Sequence, residues 1–227
     1  MRSAPDSRPT PRQFDLLVFD WDGTLMDSAA AITASLQAAC GDLDLPVPSD
    51  EQARYVIGLG FHDALSYLLP GLDPARYPPI LERYRAHFLK HDANTALFPG
   101  AAETVASLRG AGFLLAVATG KSRRGLERSL AGTGLKDYFH ATRCADEGHA
   151  KPHPGMLLEL MKELDVAGDR TLMIGDTTHD MAMARAAGVA RLGVAHGAHS
   201  KNDLLGYAPL ACVDDFDSLR RWLAQNT

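Results

Sequence analysis

The stretch FDLLVFDWDGTLMD, running from Phe14 to Asp27, decides how this chain is read. Phe14–Phe19 has the length and β-rich composition of a strand buried on both faces, as in the interior of a parallel sheet. The run stops abruptly at Asp20-Trp21-Asp22-Gly23-Thr24. Two carboxylates one residue apart, at the C-terminal end of a buried strand, are costly to hold beside an apolar core. They call for compensation by a cation, a proton or an anion-binding chemistry. Gly23 permits a sharp turn there and close approach of the backbone to a ligand. The competing reading is a plain strand ending in a solvated Asp turn, and the rest of the chain decides between the two.

Outward from this stretch the pattern splits in two. From Ser28 to Ala96 every periodic segment is helical: Ser28–Cys40 capped by Asp27 or Ser28, Gln52–Ile57 after the start signal Ser49-Asp50-Glu51, Phe61–Leu69, and a longer segment over Pro74–His91. From Pro99 onward helices and strands alternate, with strands expected over Phe113–Ala118, His140–Cys144, Thr171–Ile174, Ala190–Ala195 and Leu210–Val213. Such alternation implies an α/β architecture, a Rossmann-like doubly wound parallel sheet. The helical block then becomes an all-helical unit inserted after the first strand. The expected division is a flexible leader over residues 1–13, a sheet domain over 14–27 and 97–227, and the helical unit over 28–96.

Composition bounds the function. The 227 residues are ample for a sizeable core, and 46% hydrophobic with 22% charged content is ordinary for a soluble globular protein. A net charge of −5 gives no electrostatic reason to bind nucleic acid or an acidic membrane. Three cysteines, Cys40, Cys144 and Cys212, are odd in number and lack CxxC spacing, which speaks against a disulfide framework or a zinc site and for a reducing cytoplasm. The opening MRSAPDSRPTPRQ lacks the apolar stretch of a signal peptide. A monomer is the default expectation.

In doubly wound sheets ligands bind at the carboxyl ends of the strands. The first strand ends in Asp20 and Asp22, and the second in Thr119-Gly120. The segment after the third carries Lys151 within Lys-Pro-His-Pro, and the fourth ends in Gly175-Asp176-Thr177-Thr178-His179-Asp180. Alone, the threonine pair is a strand-end turn, Lys151 a solvated loop lysine, and the last acids a helix N-cap. Together they supply acids, a hydroxyl and a cation to one end of the sheet.

DWDGT, the TG pair, KPHP and GDTTHD resemble, in that order, the four motifs of the haloacid dehalogenase-like hydrolases, and within that family the phosphoglycolate phosphatase-like branch. The resemblance implies that the sheet domain, 14–27 and 97–227, is the catalytic core and that the all-helical unit inserted after the first strand, 28–96, is a mobile cap, with Mg²⁺ as cofactor and hydrolysis of a small phosphorylated metabolite. It makes Asp20 the nucleophile, giving an aspartyl-phosphate, and Asp22 the acid and base for the leaving alcohol and for water. Mg²⁺ would take the carboxylates of Asp20 and Asp176, the carbonyl oxygen of Asp22, and Asp180 directly or through water. Thr119 and Gly120 would hold the phosphoryl oxygens, and Lys151 would balance the accumulated charge. The Lys151–Pro152 bond is expected to be cis, turning the lysine back into the site.

Two other readings share these residues. A β-phosphoglucomutase-like enzyme would transfer phosphate between positions of a sugar. A phospho-Asp receiver module would hold phosphate without turnover, but the long insertion and the second acid at Asp22 speak against it. Dehalogenation is disfavoured because Asp22 serves a leaving alcohol. In the cap, Gly58-Leu59-Gly60-Phe61 joins two helices; if the loop faces the site, Leu59, Phe61 and His62 touch the substrate beyond its phosphate. His179 is read as structural or peripheral, and Ser122-Arg123-Arg124 as a solvated helix face that could meet an anionic group.

Overall fold

The computed structural model describes residues 12–92 and 95–226. Most of the expected leader, residues 1–11, lies outside the described residues. The Arg12 guanidinium sits 4.6 Å over the Phe113 ring and donates to the Ala111 carbonyl.

Six strands form one parallel sheet: β1 (Leu16–Phe19), β2 (Leu114–Thr119), β3 (Ala141–Cys144), β4 (Thr171–Gly175), β5 (Ala190–Val194) and β6 (Cys212–Val213). Their order across the sheet is β3-β2-β1-β4-β5-β6, so β1 is central and the winding reverses between β1 and β4. Phe19 pairs with Val117 on one side and Ile174 on the other. All four residues of β1 are fully buried because side chains of period two feed both faces. Leu17 and Phe19 join a cluster with Val105, Ile174 and Leu223; Leu16 and Val18 join another with Met156, Leu160 and Met183. The helices on these faces are α5 (Ala101–Gly110), α6 (Arg123–Thr133), α7 (Gly155–Leu164), α8 (Thr178–Ala186), α9 (Lys201–Leu205) and α10 (Phe216–Asn226).

Residues 28–92 fold as a helical unit with its own apolar cluster around Ile32, Leu36, Leu65, Ile80 and Phe88. Its helices are α1 (Ala29–Gly41), α2 (Asp50–Tyr55), α3 (Phe61–Leu68) and α4 (Tyr77–Asp92). Ser49 opens α2 with a capping box completed by Gln52, as the Ser-Asp-Glu start signal suggests. The two connections to the sheet domain run side by side. Asp27 N–H donates to the Ala96 carbonyl and Phe98 N–H to the Leu25 carbonyl, both at 2.9 Å. The expected insertion after the first strand is therefore observed.

Three local expectations need correction. The first strand begins at Leu16 rather than Phe14, and the last is cut to Cys212–Val213 because Ala208, at φ +48°, turns the chain just before it. Ser28 occupies the N-cap of α1 without capping it, since its hydroxyl is drawn elsewhere. All three cysteines are free thiols. No helix among the described residues is long and apolar enough to cross a membrane.

Candidate active site

Asp20 stands one residue beyond β1, where its N–H still donates to the Ile174 carbonyl at 3.0 Å. The ladder thus holds the backbone of a fully buried carboxylate. Oδ1 accepts from the Trp21 N–H at 2.6 Å and pairs with Lys151 Nζ at 2.8 Å. Oδ2 is buried and has no hydrogen-bond donor among the described residues. Lys151, fully buried in the loop before α7, also pairs with Asp180 Oδ1 at 2.7 Å. The Lys151–Pro152 bond is cis, as expected. Burial on its own would lower the lysine pKa, but Asp180 and Asp20 hold it above its usual value.

Asp176 follows β4, across the reversal point from Asp20. Its carboxylate accepts from Thr24 Oγ1 and from the Ala198 N–H, both at 2.7 Å. Gly23 is at φ +81°, and a Cβ there would lie 2.2 Å from Asp176 Oδ2, so only glycine lets the first turn close on this carboxylate. Asp180 completes a capping box with Thr177 at the start of α8, and so serves as helix cap and ion-pair partner at once.

One oxygen each from Asp20, Asp176 and Asp180 lies within 4.8 Å of the others. Burial, opposed by Lys151 and reinforced by Asp180 and Asp176, pushes the Asp20 carboxyl well above its ordinary value. Burial, reinforced by Asp180, pushes Asp176 up to about 7. Three buried carboxylates face one ammonium, an imbalance that a divalent cation would remove. A hard, all-oxygen donor set of three buried carboxylates suits Mg²⁺.

The Asp22 carboxylate points away from this trio. Lys121 Nζ lies 2.8 Å and 3.0 Å from its two oxygens, and Ser28 Oγ donates to Oδ1 at 2.7 Å. This is where the hydroxyl of the expected cap has gone. The same Lys121 ammonium sits 4.9 Å over the Phe88 ring of α4, which joins the sheet domain, the helical unit and Asp22. Lys121 and Thr24 have no role in the sequence expectations, where Ser28 is only a candidate helix cap. The usable signal was position: Lys121 is two residues after Thr119, at the same end of the sheet as Asp22.

Thr119, fully buried at the end of β2, accepts the Lys121 N–H at 3.2 Å, so its hydroxyl proton is left for another acceptor. Gly120 packs on the helical unit, since a Cβ there would lie 2.5 Å from the Gly58 carbonyl oxygen. The loop 58–60 therefore faces the strand ends. Leu59, Phe61 and His62 line one cavity with Asp20, Asp22, Thr119 and Gly120. His179 Nε2 donates to the Tyr55 carbonyl at 2.7 Å. His199 Nε2 donates to that same carbonyl at 3.0 Å, and Arg54 Nη2 donates to Gly197 O at 2.8 Å. These bonds dock the end of α2 on the loop whose Ala198 N–H holds Asp176. Of the Ser122-Arg123-Arg124 run, Arg123 is bound to Glu147 and Thr142, while Ser122 and Arg124 line the cavity.

The family model described as haloacid dehalogenase-like hydrolase matches residues 17–194. Probable phosphatase IndB of Dickeya dadantii is 36% identical over 209 residues, which is 90% of this chain and 91% of the relative. The phosphoglycolate phosphatase of Rhodospirillum rubrum is 34% identical over 91% of this chain and 90% of its own length. Among solved structures, a predicted phosphoglycolate phosphatase from Haemophilus somnus 129PT superposes with a TM-score of 0.82 at 25% identity, over 94% of this chain and 99% of that one.

Proposed function

We infer that this chain, which belongs to the haloacid dehalogenase-like hydrolase family, is a Mg²⁺-dependent phosphatase acting on a small phosphorylated metabolite through an aspartyl-phosphate at Asp20. The observation that carries this reading is the buried Asp20 Oδ2, without a hydrogen-bond donor among the described residues, in the wall of the cavity that Asp22 and Thr119 share. The similarity to phosphatases along nearly the whole chain supports it.

Asp20 Oδ2 attacks phosphorus, and the bond from phosphorus to the ester oxygen breaks. Asp22 gives its proton to the departing alcohol, so that no alkoxide is released. Asp22 then takes a proton from water, which attacks the phosphorus of the aspartyl-phosphate. Inorganic phosphate leaves and Asp20 is restored. Thr119 donates its hydroxyl to a phosphoryl oxygen, and Lys151 keeps Asp20 and Asp180 in place while it balances charge. Lys121 and Ser28 fix the direction of Asp22. Asp20 and Asp176, with the Asp22 carbonyl and Asp180, would hold Mg²⁺, which when bound supplies the positive charge the carboxylates and phosphoryl group need. The helical unit is the cap, its paired connections at 25–28 and 96–98 acting as the hinge.

The test is phosphate release from a panel of phosphorylated metabolites with and without Mg²⁺, beside Asp20→Asn. Release should require Mg²⁺ and vanish in the variant, while its melting curve stays cooperative. Substantial turnover by Asp20→Asn would remove the mechanism, and isomerisation of a sugar phosphate without release would favour the mutase.

A further inference from the structure

The cavity between cap and sheet is far larger than a two-carbon phosphate needs. Its volume is about 700 Å³, the size of sites that enclose ligands with several ring systems or a long chain. The phosphoryl end is built by Asp20, Asp22 and Thr119, and the opposite wall by the cap. That wall is mostly apolar, with His62, Asp63 and Arg85 as its charged or ionisable members. Ile32 and Leu36 of α1, and Val56 and Ile57 beyond α2, present buried aliphatic side chains to it.

Across this wall runs a row of rings. Phe61 and Tyr84 have centroids 5.5 Å apart at 41°, and Tyr84 and Phe88 are 5.8 Å apart at 23°. The row ends beside the chemistry, because Phe88 lies 4.9 Å from the Lys121 ammonium that grips Asp22. Phe61, Tyr84 and Phe88 line the same cavity as Asp20, Asp22 and Thr119. An anionic tail of one or two carbons would instead be pressed against apolar carbon and stripped of water. The lysines at this end, Lys121 and Lys151, are already paired, with Asp22 and with Asp20 and Asp180. The arginines of the lining, Arg85, Arg124 and Arg128, are exposed.

Resting on the phosphatase reading, we propose that the substrate is the phosphomonoester of an alcohol carrying a flat aromatic ring, seated on the Phe61–Tyr84–Phe88 row. The rings offer offset and edge contacts to such a group. The exposed arginines meet its polar edge.

The test measures kcat/KM of the full chain with Mg²⁺ for pyridoxal 5′-phosphate, flavin mononucleotide and the nucleoside 5′-monophosphates, against 2-phosphoglycolate and glycerol 3-phosphate. At least one aromatic ester should exceed both small esters by about tenfold or more, the size of an aromatic contact with its buried area. The preferred ester distinguishes pyridine, flavin and nucleobase. Tyr84→Ala should cut the aromatic-to-small ratio about tenfold and Tyr84→Phe should keep it; a ratio taken within one variant is insensitive to its folded fraction. Turnover of small esters at equal or higher efficiency, or a ratio unmoved by Tyr84→Ala, overturns this inference and leaves the phosphatase reading standing. Failure to hydrolyse any ester, together with no labelling of Asp20 by acetyl phosphate, overturns both.

Discussion

Replacing Asp176 with Asn should change the sign of its effect on metal-free stability as pH rises. Burial, reinforced by Asp180, lifts the Asp176 carboxyl from 3.8 to about 7. Between those values the folded chain binds more protons at this site than the unfolded chain does. Stability therefore falls as pH rises through the window, and the whole loss is present above it. At about 1.4 kcal/mol per pH unit, the window is worth about 4 kcal/mol. Asp176→Asn removes that loss but carries its own cost. The carboxylate accepts from both Thr24 Oγ1 and the Ala198 N–H, whereas an amide has one acceptor oxygen and turns an NH₂ towards the second donor. Leaving one buried donor unmet costs roughly 1–3 kcal/mol at every pH. In EDTA the variant should thus be less stable than the wild type near pH 4 and more stable by roughly 1–3 kcal/mol at pH 8. At roughly 2–4 °C per kcal/mol for a chain of this size, the difference in Tm swings by about 8–16 °C across the range. Calorimetry in EDTA from pH 4 to 8 reads it directly, and Mg²⁺ should restore the wild type at the alkaline end. Parallel curves for the two proteins, or a variant less stable at pH 8 in EDTA, would refute the reasoning.

Lys121→Met removes the charged donor from both oxygens of Asp22, and a hydrogen bond to a charged group is worth roughly 1.5–3 kcal/mol. Steady-state kinetics should show kcat lower by roughly ten- to a hundredfold, and unchanged kcat would deny Lys121 its positioning role. Arg54→Ala loses the bonds to the Gly197 and Ala198 carbonyls that dock α2 on the Asp176 loop. Its kcat/KM should fall with every ester tested, and recover in part with Arg54→Lys; a fall confined to one ester would place Arg54 in substrate contact instead. Burial pushes the Cys144 thiol up to about 12, so iodoacetamide at pH 8 should leave Cys144 unlabelled by mass spectrometry until the chain unfolds.

The strand-end residues were legible before any coordinates because a doubly wound sheet brings all its carboxyl ends to one edge. Asp20, Thr119, Lys151 and Asp176 lie up to 156 residues apart in the chain. Knowing the strands places them together without knowing a single contact. The helical insertion was legible for a similar reason, since residues 28–96 carry apolar positions at helical spacing and no strand alternation. His179 was read as structural simply because it fell outside the matched motif positions.

What the tertiary structure alone decided are the contacts between the two units and the partners of each polar atom. The sequence reading put Ser28 at a helix cap and left Lys121 unnoticed, yet both hold Asp22, because the turn at Gly23–Met26 brings its carboxylate to them. Whether the Gly58 loop faced the strand ends, and whether Phe61, Tyr84 and Phe88 formed a row beside Asp22, also depended on how the cap sits over the sheet. Periodicity records which face of each element is apolar, and the alternation of strands with helices implies a parallel sheet. Hydrogen-bond partners and the docking of one rigid unit on another are settled by directional contacts between residues far apart in the chain, and local sequence pattern carries no record of them.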